Sequence, residues 1–157
     1  MGSSILEDID GVSIKSIVSI DDKRGWLIEI YREDEDNIKP IMSYISYTKY
    51  GIVRGPHEHS EQSDFFVFVG PGDFELYLWD NRVASKTYNN KNKIVVGETN
   101  KVKIIVPPGV VHGYKSISSN GGVCINMPDE LYMGMNKKEK VDEIRYENQK
   151  DSMFVIT

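Results

Sequence analysis

Short apolar runs separated by turn-forming residues recur along the whole chain. In the segment 74–79, Phe74, Leu76 and Leu78 occupy alternate positions, which is the period of a strand with one buried face. Other runs rich in Val, Ile, Tyr and Phe end at clusters of Gly, Pro, Asn and Asp. The pattern predicts strands at 14–20, 26–31, 41–47, 52–56, 64–69, 74–79, 93–96, 102–106, 112–117 and 123–127.

The spacing of these strands indicates an all-β barrel or sandwich. No segment before Glu130 has a strong helical period, and the segment 136–144 predicts only a short helix. A chain of 157 residues is long enough to close one hydrophobic core, and neither a repeat nor a linker divides it. We therefore expect a single domain over 1–157.

Composition and charge narrow the range of partners. The formal net charge is −5 and basic residues form no cluster, so no nucleic-acid surface is expected, although a few arginines can bind a diphosphate. No apolar run approaches the ~20 residues of a membrane span. The start lacks the apolar core of a signal peptide, and the lone cysteine, Cys124, fits a reducing compartment. We expect a cytoplasmic protein with no membrane partner.

The chain has three histidines, and they lie in two short segments. His57 and His59 fall within 51–59, and His112 ends the segment 107–112. Side chains two residues apart on a strand point to the same face, so His57 and His59 would share one. A third imidazole from a second strand would complete a cluster. Such a cluster either binds a metal ion or provides a histidine base in a sugar pocket.

Four sequence motifs follow one another in a recognisable order. The first is Asp-Lys-Arg-Gly-Trp at 22–26 with Glu29, and the second is Val-Arg-Gly-Pro-His at 53–57. The third, at 69–87, joins a Gly-Pro-Gly-Asp turn to Asp-x-Arg-x-x-Ser-x-Thr. The fourth is Pro-x-Gly-x-x-His-Gly-Tyr at 107–114. Together they resemble the dTDP-4-dehydrorhamnose 3,5-epimerase family of cupins.

The resemblance implies a cupin barrel, a jelly roll of two antiparallel sheets, that forms a homodimer. It also implies inversion at C3 and C5 of a 4-keto-6-deoxy sugar carried on a nucleoside diphosphate, in surface polysaccharide synthesis. A ketone acidifies the neighbouring C–H bonds, so a base can remove one proton and a donor can return it to the other face. The developing enolate needs a positive charge or hydrogen-bond donor near its oxygen. The family needs no cofactor for this.

The resemblance also assigns roles to individual residues. His57 is implied as the base, and Asp151, near the C-terminus, as the carboxylate that polarises it. Arg24 and Arg54 would bind the diphosphate or line the sugar pocket. Glu29 and His112 are further candidates for substrate binding.

Two positions depart from the family pattern. Where the family has an enolate-stabilising lysine, this chain has Asp64. The region of the family's tyrosine proton donor contains Asn126, and the nearest tyrosine is Tyr132. We therefore include Asn126 and Tyr132 among the candidate substrate-binding residues.

A second pattern overlaps the same segments. Metal-binding cupins resemble Gly-x5-His-x-His-x3,4-Glu followed by Pro-x-Gly-x-x-His, and here the matching ligands are His57, His59, Asp64 and His112. Three imidazoles and one carboxylate suit a divalent transition metal, which could replace the missing lysine beside a ketone. Two alternatives to the epimerase thus remain: a metal cupin with isomerase or oxygenase activity, and a non-catalytic sugar-binding cupin.

Overall fold

A computed structural model describes residues 5–157, which form thirteen strands and one short 3₁₀ turn, η1. The described residues include no helix long and apolar enough to cross a membrane. The elements are β1 (Ile5–Leu6), β2 (Ser13–Ser16), β3 (Ile20–Asp22), β4 (Gly25–Leu27), β5 (Tyr44–Thr48), β6 (Val53–Glu58), β7 (Asp64–Phe68), β8 (Asp73–Asp80), β9 (Lys91–Gly97), β10 (Val102–Val106), β11 (Val110–Ser116), β12 (Gly122–Asn126), η1 (Met135–Lys137) and β13 (Ile144–Arg145).

The strands form two large antiparallel sheets and a separate hairpin. One sheet has the order β1-β9-β8-β11-β6-β13, and the other has the order β2-β10-β7-β12-β5. Strands β3 and β4 pair only with each other. Inward side chains of both sheets meet in one apolar cluster, so the sheets pack face to face. This confirms the prediction of an all-β barrel or sandwich.

Strand β7 is buried along its whole length because both of its faces are covered. Phe66 and Phe68 point between the two sheets, into the main apolar cluster. Phe65 and Val67 point to the opposite face, where Ile38 and other residues cover them. Alternation along a strand puts the two pairs on opposite faces, which explains why the four residues after Asp64 are all apolar.

The pairing of β6 with β11 positions the histidine segments. His57 lies opposite His112, and the register then shifts before Tyr114 pairs with Arg54. Gly55 lies at this irregularity with φ of 86°, and a Cβ there would be 2.7 Å from the carbonyl oxygen of His112. Only glycine permits both this backbone conformation and this close approach of the two strands.

Several predicted element boundaries were wrong. The predicted strand 14–20 is divided between β2 and β3, and 26–31 forms a strand only over Gly25–Leu27. Ile30 and Tyr31 instead pack against the outer face of β7, which bends the chain away from the hairpin. The predicted helix 136–144 is only η1, because Asn136 and Lys137 have positive φ angles that a helix does not allow.

We expect Phe68→Ala to destabilise the fold by about 3–5 kcal/mol, because it leaves a cavity in a fully buried cluster. The free energy of unfolding from urea titration measures this loss. Val83→Ala, at a side chain that is 79% exposed, is the control and should change stability little. A loss for Phe68→Ala as small as that of the control would contradict the described core.

Candidate active site

Three imidazoles and one carboxylate converge at one end of the space between the sheets. Each of the four residues His57, His59, Asp64 and His112 presents a donor atom, and these atoms lie within 4.8 Å of one another. His57 and His112 come from paired strands of one sheet, whereas Asp64 begins β7 of the other. The ring centroids of His57 and His112 are 4.6 Å apart. The four residues could therefore hold a metal ion or act together on a substrate.

Asp64 is the hub of this cluster and is almost completely buried. Its Oδ1 accepts hydrogen bonds from Gln62 Nε2 and Asn126 Nδ2, each at 2.8 Å. Its Oδ2 lies 2.9 Å from Nε2 of His112 and 3.1 Å from Nε2 of His59. The carboxylate thus divides its two oxygens between amides on one side and imidazoles on the other.

Asn126 links this carboxylate to a tyrosine that the sequence did not single out as a site residue. Its Oδ1 accepts a hydrogen bond from the backbone N–H of Phe65, which fixes the orientation of the amide. Its Nδ2 donates to the hydroxyl of Tyr44 at 2.9 Å. Burial raises the pKa of Tyr44 to about 12, against the effect of the Asn126 hydrogen bond, so the phenol keeps its proton.

Two acidic residues of the C-terminal segment hold the histidines. The carboxylate of Asp142 accepts hydrogen bonds from three successive backbone N–H groups, those of residues 60–62. Its backbone carbonyl accepts a hydrogen bond from Nδ1 of His59. Glu143 places Oε1 3.7 Å from Nδ1 of His57. These contacts connect the segment that carries His57 and His59 to a segment about eighty residues later in the chain.

The structure places Glu143, rather than Asp151, beside the expected base. Asp151 is exposed, and its carboxylate makes no hydrogen bond or ion pair within residues 5–157. The sequence indicated an acidic residue late in the chain, but several are present there. Only the antiparallel pairing of β13 with β6, which brings residue 145 opposite residue 57, selects Glu143.

Burial and charge give the imidazoles different properties. Burial lowers the pKa of His57 to about 2, and the neighbouring His112 and His59 add to this effect. Burial also opposes charge on His59, but the Asp64 carboxylate, 3.1 Å from its Nε2, outweighs burial and raises its pKa to about 9. His112 and His59 hold the pKa of Asp64 well below its usual range, although burial acts in the opposite direction. A neutral imidazole therefore lies beside a positively charged one.

The remaining predicted site residues lie outside this cluster in the described chain. Arg24 is on the β3–β4 hairpin, where it pairs with Asp22 and its side chain is 83% exposed. Arg54 donates to the hydroxyl of Thr48 at 2.8 Å and to the carbonyl of Tyr47 at 3.0 Å. Glu29 and Tyr132 are exposed. The structure thus brings together His57, His59, Asp64, His112 and Asn126, but not Arg24, Glu29, Arg54, Tyr132 or Asp151.

Four contributors to the cluster were missed as site residues from sequence: Tyr44, Gln62, Asp142 and Glu143. Gln62 precedes Asp64 by two residues, so strand alternation gives a weak signal for it. Tyr44 enters through β5, which pairs with the strand that carries Asn126. No local pattern marks Asp142 or Glu143, because their contacts depend on the return of the C-terminal segment to β6.

Comparison with known proteins identifies the family of this chain. The family model for dTDP-4-dehydrorhamnose 3,5-epimerase matches residues 7–150. A probable low-salt glycan biosynthesis epimerase of Haloferax volcanii is 36% identical over 130 residues, covering 81% of this chain and 83% of the relative. A spore coat polysaccharide biosynthesis protein of Bacillus subtilis is 34% identical over 109 residues, covering 68% of this chain and 71% of the relative.

The solved structures show the same architecture. The crystal structure of a dTDP sugar isomerase from Desulfovibrio desulfuricans superposes with a TM-score of 0.75 at 19% identity, covering 87% of this chain and 84% of the other. The fold is therefore the two-sheet jelly-roll barrel that the motifs led us to expect. The chain belongs to the dTDP-4-dehydrorhamnose 3,5-epimerase family, and it is a sugar-nucleotide epimerase or isomerase.

We expect His57 and His59 to have opposite effects on stability in protein treated with a chelator. The His57 pKa of about 2 lies below its ordinary value of 6.5, so this group's contribution is full above 6.5 and is lost as pH falls. The His59 pKa of about 9 lies above 6.5, so its contribution is full below 6.5 and is lost as pH rises through 9. NMR titration of the imidazole nitrogens measures both values.

The matched comparison is His59→Gln. In this variant the free energy of unfolding should no longer decrease as pH rises towards 9, but it should still decrease as pH falls below 6.5. If His57 titrates near its ordinary value in the folded protein, the burial described for it is incorrect.

Proposed function

We propose that this chain epimerises a dTDP-linked 4-keto-6-deoxy sugar and that His57 is the base. The observation that carries the proposal is the convergence of His57, His59 and Asp64 in one cluster, with the Glu143 carboxylate 3.7 Å from Nδ1 of His57. Burial keeps His57 unprotonated before the reaction, and Glu143 would stabilise the imidazolium that forms when His57 accepts a proton, while His59, charged through Asp64, lies in the same cluster. These are the two groups that proton removal next to a ketone requires.

The chemical step follows from these groups. The C–H bond next to the ketone breaks, its proton passes to His57, and its electron pair moves to the ketone oxygen as an enolate. The protonated imidazole of His59, beside Asp64, stabilises that oxyanion. Return of a proton to the opposite face of the carbon restores the ketone with inverted configuration. We assign the polarisation of His57, expected earlier of Asp151, to Glu143, whose carboxylate is 3.7 Å from Nδ1.

The two curated relatives support a role in making surface glycans. One is described as an epimerase of glycan biosynthesis and the other as a protein of spore coat polysaccharide biosynthesis. We infer the same class of pathway for this chain.

We assign binding of the diphosphate to Arg24 and Arg54, with Glu29, His112, Asn126 and Tyr132 contacting the sugar nucleotide. Arg54 lies on the same strand as His57, and its guanidinium is partly held by Thr48. Arg24 is on an exposed hairpin with no contact to the imidazole cluster. That position suits an arm that reaches another copy of the chain better than a wall of its own pocket.

We propose a homodimer for this reason. The hairpin and the residues before it expose apolar side chains, with Val18 81%, Trp26 60% and Leu27 59% exposed. Exposed apolar side chains concentrated around one small hairpin are a feature of protein interfaces. The arm would then bring Arg24 of one protomer towards the substrate of the other.

In this proposal the proton transfers need no cofactor, because side chains supply both the base and the positive charge. A divalent transition metal is a second candidate source of that charge. It is favoured by one observation, the convergence of donor atoms from His57, His59, Asp64 and His112 within 4.8 Å.

Incubation with dTDP-4-keto-6-deoxyglucose in heavy water tests the function. We expect deuterium to appear at C3 or C5, because each proton removed is replaced from solvent. His57→Ala should slow this exchange by about a hundredfold or more, since a positioned base contributes that much. Mass spectrometry and proton NMR of the sugar measure the rate, and free imidazole added to the variant should restore part of it.

The control is Glu33→Gln, an exposed position without assigned contacts, which should exchange at the unsubstituted rate. Binding of the sugar nucleotide without any deuterium incorporation would contradict the epimerase and favour the non-catalytic sugar-binding cupin.

Light scattering after gel filtration tests the dimer. We expect the mass of two chains, and Trp26→Asp together with Leu27→Asp should shift the protein to one chain because charges cannot be buried in an apolar interface. Val83→Asp changes an equally exposed apolar residue outside the hairpin and should leave the mass unchanged. A single-chain mass for the unsubstituted protein would refute the dimer.

A further inference from the structure

We propose that His59, Asp64 and His112 form a three-ligand site for a divalent transition-metal ion, and that His57 is not one of its ligands. The catalytic role that we give this ion rests on the proposed function, whereas its binding does not. Four features of the site support this ion: unpaired atoms, Nδ1 atoms bound to the backbone, a carboxylate held by two amides and the separate position of His57.

Two atoms of the cluster are buried without a satisfactory partner. Oδ2 of Asp64 and Nε2 of His112 lie 2.9 Å apart, yet within the described chain neither atom has a hydrogen-bond partner of acceptable geometry. A buried carboxylate oxygen without a partner is costly. Atoms that are this close but not aligned as donor and acceptor are oriented towards a shared point, as ligands of one ion are.

The backbone fixes the tautomer of both histidines. Nδ1 of His112 is 3.0 Å from the carbonyl oxygen of Val110, and Nδ1 of His59 contacts the carbonyl oxygen of Asp142. A carbonyl oxygen only accepts, so each Nδ1 carries a proton and Nε2 is the atom through which each ring would bind an ion. Both Nε2 atoms face Oδ2 of Asp64. In the metal-free protein the positive charge of His59 balances the carboxylate there, and a bound ion would replace the proton on its Nε2.

The surroundings of these ligands match those of known metal sites. Metal-binding histidines usually donate their other N–H to a backbone carbonyl or a carboxylate, as His59 and His112 do. Asp64 is oriented through Oδ1 by Gln62 and Asn126, which leaves Oδ2 free. Its distances of 2.9 and 3.1 Å to the two nitrogens are close to the ~3 Å between adjacent ligands that bind one ion at ~2.1 Å.

His57 occupies a different position in the cluster. Its Nδ1 lies 3.7 Å from Oε1 of Glu143, and it forms no ion pair with Asp64 in the part of the chain that the structure describes. Two histidines and one carboxylate on one side of an ion are a recurrent set for divalent iron and related metals, and they leave positions open. His57 therefore remains available as the base, next to the ion.

The site lies where the family pattern has a lysine. The resemblance implies that this lysine stabilises the enolate in the family. In this chain Asp64 occupies its position. A divalent ion held by Asp64 and the two histidines would return a positive charge to this position. It would act on the oxyanion that forms when His57 removes the proton.

The experiment measures metal in protein purified without added metal and with any affinity tag removed. We expect one transition ion per chain by elemental analysis. After chelation, loading with Co²⁺ should give a visible absorption band and raise the melting temperature, because an ion that binds only the folded state stabilises it.

Three variants distinguish the metal-binding residues from residues that do not bind the ion. Asp64→Asn should weaken Co²⁺ binding by about tenfold or more, since even residues that only orient ligands cost that much. His57→Ala should bind Co²⁺ with unchanged affinity while losing deuterium exchange. Glu33→Gln is the matched control for loss of a carboxylate elsewhere. Circular dichroism of each metal-free variant shows whether it is folded.

The outcomes separate this site from the proposed function. Only trace metal, no cobalt band and no thermal shift would overturn the site, even if deuterium exchange proceeds. Loss of Co²⁺ from His57→Ala would also overturn it, in favour of four ligands. Metal binding without any exchange would leave the site standing and contradict the proposed function.

Discussion

The burial of one carboxylate constrains the active-site end of the barrel. Asp64 begins the most buried strand and is 1% exposed, so its charge must be compensated by neighbours rather than by water. Two amides and two imidazoles do this, and they come from three separate segments of the chain. A charge removed from water fixes the relative positions of everything that compensates it, which makes the site rigid.

Backbone geometry delivers these neighbours. Gly55 allows β6 and β11 to approach closely enough for His57 to lie opposite His112, and Nε2 of His112 lies 2.9 Å from Oδ2 of Asp64. Asp142 then binds three backbone N–H groups and holds the segment that carries His59. The histidines are thus positioned by strands and by a returning segment, not by their own sequence motif alone.

Much of the fold could be predicted from sequence because strand period and turn residues are local signals. The predicted strand 102–106 agrees with β10, and 64–69 agrees with β7 to within one residue. The errors fall at the hairpin near Trp26 and at the predicted helix after Glu130, where long-range packing or positive φ angles override the local preference. Of the site, the histidines and Asp64 were recognisable by spacing, whereas Glu143 and Tyr44 were not.

The sequence by itself determined the all-β architecture, the family and the three histidines, since alternation and short motifs are properties of neighbouring residues. Only the tertiary structure decided which carboxylate lies beside His57, which arginines stay away from the cluster, and which imidazole remains neutral. Those outcomes depend on burial and on distances between segments as far apart as His59 and Asp142. No local pattern encodes a pKa, because it is set by every charge and surface that folding brings near the group.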